Sequence, residues 1–309
     1  MEEILYDGQL FKRALKSAEF QLEKRIDELN SLNVFPVPDG DTGINMYLTV
    51  KAAAAGIEDT PETSIGQVST KAARAALLGA RGNSGVIMSQ ILRGMAKTLE
   101  MKEHFSSIDF AVALRNASDT AYRSITKPVE GTILTVIREA AEAAHKQAER
   151  GANLKQTMVA VARQAQQTVK KTPELLPKLK EAGVVDAGGK GLYYFFLGMK
   201  QHFSGKIADS EAYSKVIKAK GGPSEKQYGY DVQFLIEGEN IPLGKIRETL
   251  LGMGESVLVV GDEKLIRVHI HTKDPRAVLD YCNRKGSLKD IMQEDLDEQA
   301  AGFLAVKNQ

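Results

Sequence analysis

The 309-residue sequence lacks several features that would place it in a specialised class of protein. Its one cysteine, Cys282, excludes an intrachain disulfide and a zinc site built from several cysteines. Its 41 lysines and arginines nearly balance its 40 aspartates and glutamates, which argues against nucleic acid as a partner. No apolar run approaches the roughly 20 residues of a membrane span. The opening stretch, MEEILYDGQLFKRALKSAEF, is acidic and then amphipathic rather than signal-like, so we expect a cytoplasmic protein.

A helical hydrophobic pattern fills residues 1–203. Apolar residues recur at helical spacing, as in Leu15, Ala18 and Leu22. Breaks that contain proline or glycine divide this region into about eight segments. We therefore predict an N-terminal eight-helix all-α bundle with short connections.

The pattern changes after a polar, glycine-rich stretch, for which we predict a linker over 204–225. Residues 226–309 alternate strand-like and helix-like runs in the order β-α-β-β-α-β, with a hairpin around Gly261 and Asp262. This order predicts a small two-layer α+β domain. The expected fold class is a multidomain α and α+β protein, with domains at 1–203 and 226–309.

Four breaks in the helical region share one composition. They are PDGDTGIN (38–45), ARGNSGV (80–86), VEGTIL (129–134) and VDAGGKG (185–191). In three of them a glycine and a Ser, Thr or Asn precede a predicted helix, which leaves backbone N–H groups at the positive end of its dipole. One such break is ordinary helix capping, whereas four around one bundle could converge on a polyanion.

A phosphate-rich ligand also needs a cation, and the first break offers two carboxylates for it. Mg²⁺ prefers hard oxygen ligands, and Asp39 and Asp41, separated by one glycine, can point to the same side of a turn. The alternative for this motif alone is a simple Asp-Gly turn. The sequence has neither a Walker motif nor the glycine-rich loop of protein kinases, so a nucleotide site here is of another type.

The four motifs also carry a family resemblance. NVFPVPDGDTGINM, ARGNSGVIMSQILRG, KPVEGTILTVIREA and VVDAGGKGLYYFFLG resemble the dihydroxyacetone kinase L-domain family, and most closely the catalytic subunit of bacterial fatty acid kinase. YGYDVQFLIEG and RVHIHT resemble the middle domain of that subunit. The resemblance implies an eight-helix bundle that binds ATP and Mg²⁺. The third, C-terminal domain of the full subunit is not among these residues.

The resemblance also implies a set of site residues. Asp39 and Asp41 match the catalytic pair that binds Mg²⁺, and Asn33 stands near the place where dihydroxyacetone kinases have a third aspartate. The residues that match the nucleotide site are Thr42, Gly43, Asn45, Gly82, Asn83, Ser84, Gly85, Thr132, Asp186, Ala187 and Gly188.

The second domain contains a candidate for a different metal. His269 and His271 alternate on a predicted strand, so both face the same side, and two imidazoles bind zinc when a third ligand joins them. The alternative is a polar strand face without metal. The resemblance favours zinc, although Asp231 stands where the related domain has a cysteine, which weakens the preference for zinc. Cys282, on a predicted helix, is expected to be a small buried residue.

The resemblance implies a specific reaction as well. In the fatty acid kinase branch, a DegV-type lipid-binding protein presents a fatty acid carboxylate, and the kinase subunit transfers the γ-phosphate of ATP to give an acyl phosphate. We expect the α+β domain to mediate assembly, with a homodimer as the expected state. The alternatives are a kinase subunit for dihydroxyacetone or a similar small polyol, and a non-catalytic nucleotide-binding adaptor.

Overall fold

The computed structural model describes residues 4–203 and 228–307, so the predicted linker over 204–225 lies outside the described residues. The first described range folds into helices. They are α1 (Gly8–Glu23), α2 (Ile26–Ser31), α3 (Thr42–Ala55), α4 (Ile65–Gly79), α5 (Gly82–Leu99), α6 (Ser107–Ser124), α7 (Ile133–Glu149), α8 (Leu154–Leu175), α9 (Pro177–Ala182) and α10 (Ala187–Phe203).

The helices begin where the sequence places capping residues. Asp7 accepts a hydrogen bond of 2.8 Å from the N–H of Leu10 at the start of α1. Ser106 with Asp109 forms a capping box at the start of α6, as does Asn153 with Gln156 at α8. These side chains satisfy N–H groups that a helix start leaves without partners.

The predicted eight-helix bundle is confirmed. Helices α2 and α9 have six residues each, whereas the other eight helices before residue 204 have 14 to 22. Their apolar faces form one core that includes Leu15, Met46, Phe195 and Phe196. Burial of each such side chain contributes roughly 1.5–3 kcal/mol. Among the described helices, none has the length and apolarity needed to cross a membrane.

The second described range contains a four-stranded antiparallel sheet. Its elements are β1 (Tyr230–Glu237), α11 (Leu243–Leu250), β2 (Glu255–Gly261), β3 (Leu265–Thr272), α12 (Pro275–Asn283), β4 (Ser287–Asp295) and α13 (Leu296–Lys307). The strand order is β2-β3-β1-β4. The predicted order β-α-β-β-α-β and the predicted hairpin are both confirmed.

Helix α13 is an element that the sequence interpretation missed. The carboxylate of Asp295 accepts hydrogen bonds from the N–H groups of Asp297 and Glu298, at 2.9 and 3.1 Å. Asp295 therefore caps a helix that begins directly after a strand, with no glycine or proline between them. The capping aspartate was the available signal.

The two faces of the sheet have different neighbours. Side chains such as Val232, Phe234 and Ile270 form a core with α11 and α12, in which Cys282 is fully buried as predicted. The opposite face carries Leu235 and Leu258, which belong to the core of the bundle. Helices α5 and α6 contact strand β2, and α5 also contacts β3. The sheet therefore lies with one face against the bundle, and that face contributes to the site.

Candidate functional site

Four helices begin around one cavity of about 660 Å³. They are α3, α5, α7 and α10, and each starts within one of the four breaks of shared composition. The predicted site residues that line the cavity are Asn33, Asp39, Asp41, Thr42, Gly82, Asn83, Ser84, Thr132, Asp186, Gly188, Asp231, His269 and His271. The structure thus brings the predicted nucleotide residues and the predicted second metal cluster together in one cavity.

The carboxylate loop, residues 39–41, stands just before α3. Gly40 has a φ of +72°, a left-handed conformation that side chains other than glycine adopt at a cost. The ring of Phe303 on α13 lies against Gly40, so closely that a Cβ at this position would be 2.4 Å from the ring. The chain turn and the aromatic cover both require glycine between the two aspartates.

Neighbouring amides fix the two carboxylates. The side-chain amide of Asn33 donates to Asp39, and the oxygen of the same amide accepts a hydrogen bond of 2.7 Å from the hydroxyl of Thr42. Asn45 donates to Asp41 at 2.6 Å. The structure therefore places the amide nitrogen of Asn33, and not its oxygen, against the carboxylate pair. Asn33 holds Asp39 in position, and its direct coordination of Mg²⁺ stays a prediction.

The electrostatics of the loop favour a bound cation. Burial, followed by the negative charge of Asp41, raises the pKa of Asp39 well above its usual range. Burial also raises the pKa of Asp41, and the charge of Asp231 acts on both carboxylates in the same direction. A divalent cation would neutralise carboxylates whose ionised forms are disfavoured by burial and by neighbouring negative charge, so the residues fit Mg²⁺.

The start of α5 connects the bundle to the sheet. Gly82 has a φ of +57°, and its N–H donates a hydrogen bond of 2.9 Å to the side chain of Gln233 on β1. The side-chain amide of Asn83 lies 3.5 Å from Nε2 of His271. The hydroxyl of Ser84 donates to the carbonyl of Thr42 at 3.5 Å. The second domain therefore forms part of the wall of the predicted nucleotide site.

The sheet contributes a buried cluster of one carboxylate and two imidazoles. A ligand atom from each of Asp231, His269 and His271 lies within 4.8 Å of the others, and Nδ1 of His269 is 3.0 Å from Asp231. Burial acts to raise the pKa of Asp231, but the two imidazoles outweigh it and lower that pKa. Nε2 of His269 is buried without a hydrogen-bond partner. The donor set and the spacing fit a transition metal such as zinc.

The starts of α7 and α10 complete the cavity. The hydroxyl of Thr132 donates to the carbonyl of Val129 at 2.7 Å, and its oxygen accepts from the N–H of Leu134 at 3.3 Å. Asp186 caps α10 by accepting a hydrogen bond of 2.6 Å from the N–H of Gly189. Burial raises the pKa of Asp186 to about 7, although this donated bond acts to lower it.

Four predicted nucleotide residues stand behind the cavity wall instead of lining it. They are Gly43, Asn45, Gly85 and Ala187. Asn45 acts on the site through its bond to Asp41, and Gly85 is close to the backbone of Asn45. Gly43 packs against α2, and Ala187 belongs to a small apolar cluster beside α9. Their places in the fold indicate support of the lining residues.

The apolar wall of the cavity was not predicted. One side includes Ile87, Ile125, Val129, Ile133 and Leu134 from the bundle, and the other includes Leu251, Val257 and Leu258 from the second domain. Apolar residues in helical and strand patterns give the sequence no signal that they line a cavity. Only the packing of the sheet on the bundle reveals this wall.

Comparison with known proteins agrees with the motifs. The family model of the DAK2 domain matches residues 36–201, and that of the FakA-like middle domain of fatty acid kinase matches residues 227–303. Protein YloV of Bacillus subtilis (strain 168) is 36% identical over 315 residues, which are 97% of this chain and 57% of that protein. An uncharacterized protein of Staphylococcus saprophyticus is 38% identical over 308 residues, 95% of this chain and 56% of that protein. The chain thus spans somewhat over half the length of these curated relatives.

A solved structure is also similar. It is the crystal structure of the dihydroxyacetone kinase from C. freundii in complex with AMP-PNP and Mg²⁺, with a TM-score of 0.49 and 16% sequence identity. The match covers 65% of this chain and 35% of that chain.

Proposed function

We propose a function from the premise that this chain belongs to the family of proteins with a DAK2 domain and a FakA-like middle domain of fatty acid kinase. The proposed function is an ATP-dependent kinase subunit that phosphorylates a fatty acid carboxylate. The observation that carries the proposal is the convergence of four helix starts and the carboxylates of Asp39 and Asp41 on one cavity. In this proposal residues 1–203 form the nucleotide-binding domain, and residues 226–309 form the assembly domain.

The polar end of the cavity suits a triphosphate with its cation. Asp39 and Asp41 would hold Mg²⁺, which when bound neutralises phosphate charge and supports phosphoryl transfer by electrostatic stabilisation. The starts of α3, α5 and α10 direct the positive ends of their dipoles toward the phosphate oxygens. Ser84 and Thr42 add hydroxyl groups at the same end of the cavity.

The apolar wall suits a nucleobase. Ile125, Val129 and Ile133 on the bundle side oppose Val257 and Leu258 of the second domain across the cavity. Nucleotide sites pair such apolar surfaces with a few polar groups that fix orientation. Because the two halves of the wall come from different domains, the proposed nucleotide site needs both domains in place.

The acceptor in this proposal is a fatty acid presented by a DegV-type lipid-binding protein. A carboxylate oxygen of the fatty acid attacks the γ-phosphorus, and the bond from that phosphorus to the β,γ-bridging oxygen breaks. ADP leaves with the bridging electron pair, and an acyl phosphate forms. The middle-domain match supports this acceptor over dihydroxyacetone or another polyol. We further propose a cytoplasmic homodimer, whose mass static light scattering would measure.

The cluster of Asp231, His269 and His271 is proposed as a second metal site, with zinc as its ion. In this chain the cluster lines the same cavity as the carboxylate loop. Its metal would order β1 and β3 beside the phosphates, and we assign it no part in the transfer step.

The decisive experiment measures transfer of a radiolabelled γ-phosphate. The purified chain is incubated with Mg²⁺ and ATP, together with a fatty-acid-loaded DegV-type protein or a dihydroxyacetone-loaded binding protein. We expect acyl phosphate only with the first partner, and none from Asp41→Ala, whose helical content by circular dichroism stays unchanged. Transfer to dihydroxyacetone would establish the polyol alternative. ATP binding without transfer to either acceptor would favour the adaptor, and normal turnover by Asp41→Ala would remove the proposed site.

A further inference from the structure

Asp41 occupies the capping position of α3 but does not cap it. An aspartate at this position ordinarily accepts hydrogen bonds from the N–H groups of the first turn. The Asp41 side chain makes no such bond in this structure. It accepts a hydrogen bond from the side chain of Asn45 and lines the cavity instead.

A side chain on a different helix caps α3 in its place. Oδ1 of Asn30, on α2, accepts hydrogen bonds from the N–H groups of Gly43 and Ile44, at 2.7 and 3.3 Å. The two N–H groups that Asp41 would otherwise attract are therefore already bonded. Asn30 itself is not among the residues that line the cavity.

Gly43 permits this arrangement by close approach. A Cβ at Gly43 would lie 2.3 Å from the carbonyl oxygen of Ile26 and 2.8 Å from Oδ1 of Asn30. The first turn of α3 can meet α2 at this distance only without a side chain. The glycine that stood behind the cavity wall thus allows Asn30 to reach the helix start.

The start of α10 provides a contrast within the same cavity. Asp186 stands at the equivalent place before its helix and does cap it, with a bond of 2.6 Å to the N–H of Gly189. The two aspartates precede helices that open on one site, yet only Asp41 is relieved of capping. The difference is the presence of Asn30.

We propose that Asn30 is a positioning residue that caps α3 so that the carboxylate of Asp41 stays available to a divalent cation. This inference rests on the proposed function, because it takes Asp41 as a ligand of Mg²⁺. Without Asn30, the unbonded N–H groups of Gly43 and Ile44 attract the nearest carboxylate, and that carboxylate belongs to Asp41. Capping of α3 then competes with cation binding.

The test compares three variants of the whole chain. Asn30→Ala removes the cap, Asn30→Asp keeps an oxygen that accepts the same bonds, and Asn153→Ala removes the cap of α8, away from the cavity. Cation binding is measured by electron paramagnetic resonance with Mn²⁺ as the probe and a non-hydrolysable ATP analogue present. Thermal unfolding of each variant is recorded in parallel.

We expect Asn30→Ala to weaken Mn²⁺ binding roughly tenfold, the usual effect of losing a group that orients a metal ligand. Asn30→Asp should bind Mn²⁺ as the wild type does. Asn153→Ala should lose a similar amount of thermal stability without any change in Mn²⁺ binding. A purely structural role for Asn30 would lower the unfolding temperature and leave the cation affinity unchanged.

Three results would overturn the inference. They are wild-type Mn²⁺ affinity in Asn30→Ala, an equal loss of affinity in Asn153→Ala, or a loss in Asn30→Asp, which decides the question even if Asn30→Ala is too unstable to purify. Asp41→Ala separates the two levels of the argument. If it loses Mn²⁺ while Asn30→Ala does not, only the role of Asn30 fails, whereas retained Mn²⁺ in Asp41→Ala removes the proposed Mg²⁺ site as well.

Discussion

The backbone N–H of Gly82 donates a hydrogen bond of 2.9 Å to the side-chain oxygen of Gln233, although the two residues are 151 positions apart. Gln233 in turn donates to Asp231 at 2.5 Å, and Asp231 pairs with His269. One chain of contacts therefore runs from the first residue of α5 to the candidate metal cluster of the sheet. The geometry of the phosphate end of the cavity depends on this connection.

Replacement of Gln233 by leucine should separate the sheet from the start of α5. The N–H of Gly82 would then be buried without an acceptor, at a cost of about 1–3 kcal/mol. We expect a lower free energy of unfolding in urea and weaker nucleotide binding. Gln293→Leu, at an exposed position of β4, is the matched control and should change neither quantity. Equal effects of the two substitutions would contradict the role of the Gly82–Gln233 bond.

Neutralising the carboxylate loop should stabilise the protein when no cation is present. The raised pKa of Asp39 means that its ionised form is disfavoured in the folded state, chiefly by burial and by the charge of Asp41. The substitution Asp39→Asn removes this charge yet keeps an oxygen that accepts from the amide of Asn33. We expect a higher unfolding temperature than the wild type in a chelator, and a smaller gain on adding Mg²⁺. A lower unfolding temperature in the chelator would refute this account of the loop.

The buried carboxyl of Asp186 should make the stability of the protein depend on pH. Its folded pKa of about 7 lies above the ordinary value of 3.8, so the folded state holds a proton that the unfolded chain loses first. The resulting stabilisation is complete below pH 3.8 and is lost as the pH rises through 7, with a limit of about 4 kcal/mol.

Asp186→Asn tests this dependence, because its side chain stays neutral and keeps an acceptor for the N–H of Gly189. The free energy of unfolding, measured in a chelator from about pH 5 to about pH 8, should fall more steeply for the wild type than for the variant. Parallel pH profiles would show that Asp186 does not titrate in this range.

A double-mutant cycle should show that Gly40 and Phe303 are coupled. Gly40→Ala places a methyl group 2.4 Å from the aromatic ring and also forces alanine into a φ of +72°. The backbone cost, about 1–2 kcal/mol, remains whatever the ring does, whereas Phe303→Ala removes the clash. We expect the double variant to be more stable than the sum of the single effects predicts, by chemical denaturation. Strict additivity would mean that the ring gives way without cost.

The sheet cluster should prefer zinc more strongly when its carboxylate becomes a thiolate. Asp231→Cys replaces a hard oxygen ligand with a soft sulfur ligand beside His269 and His271, and zinc favours the latter. We expect tighter zinc binding in competition with a chelating dye, and loss of zinc from His271→Ala by elemental analysis. Cys282 is buried in the opposite core and leaves this assay undisturbed. Full zinc retention in His271→Ala would exclude the cluster as a zinc site.

Most of the fold could be predicted from local patterns. Apolar spacing and capping residues located the eight longer helices, because each helix must bury one stripe and satisfy its own first turn. Alternation on the strands put His269 and His271 on one face, and their rings do lie 4.9 Å apart. Helix α13 was missed because it follows β4 without a break, and the contact of Phe303 with Gly40 was missed with it.

The sequence by itself determined which residues could bind phosphate and cation, since capping, turn chemistry and carboxylate spacing are properties of short segments. The tertiary structure decided how those segments meet. It joined the bundle motifs and the sheet cluster in one cavity, turned the amide nitrogen of Asn33 toward Asp39, and assigned the cap of α3 to Asn30. The physical reason is that hydrogen-bond partners such as Gly82 and Gln233 lie far apart in the chain and meet only when the sheet packs against the bundle.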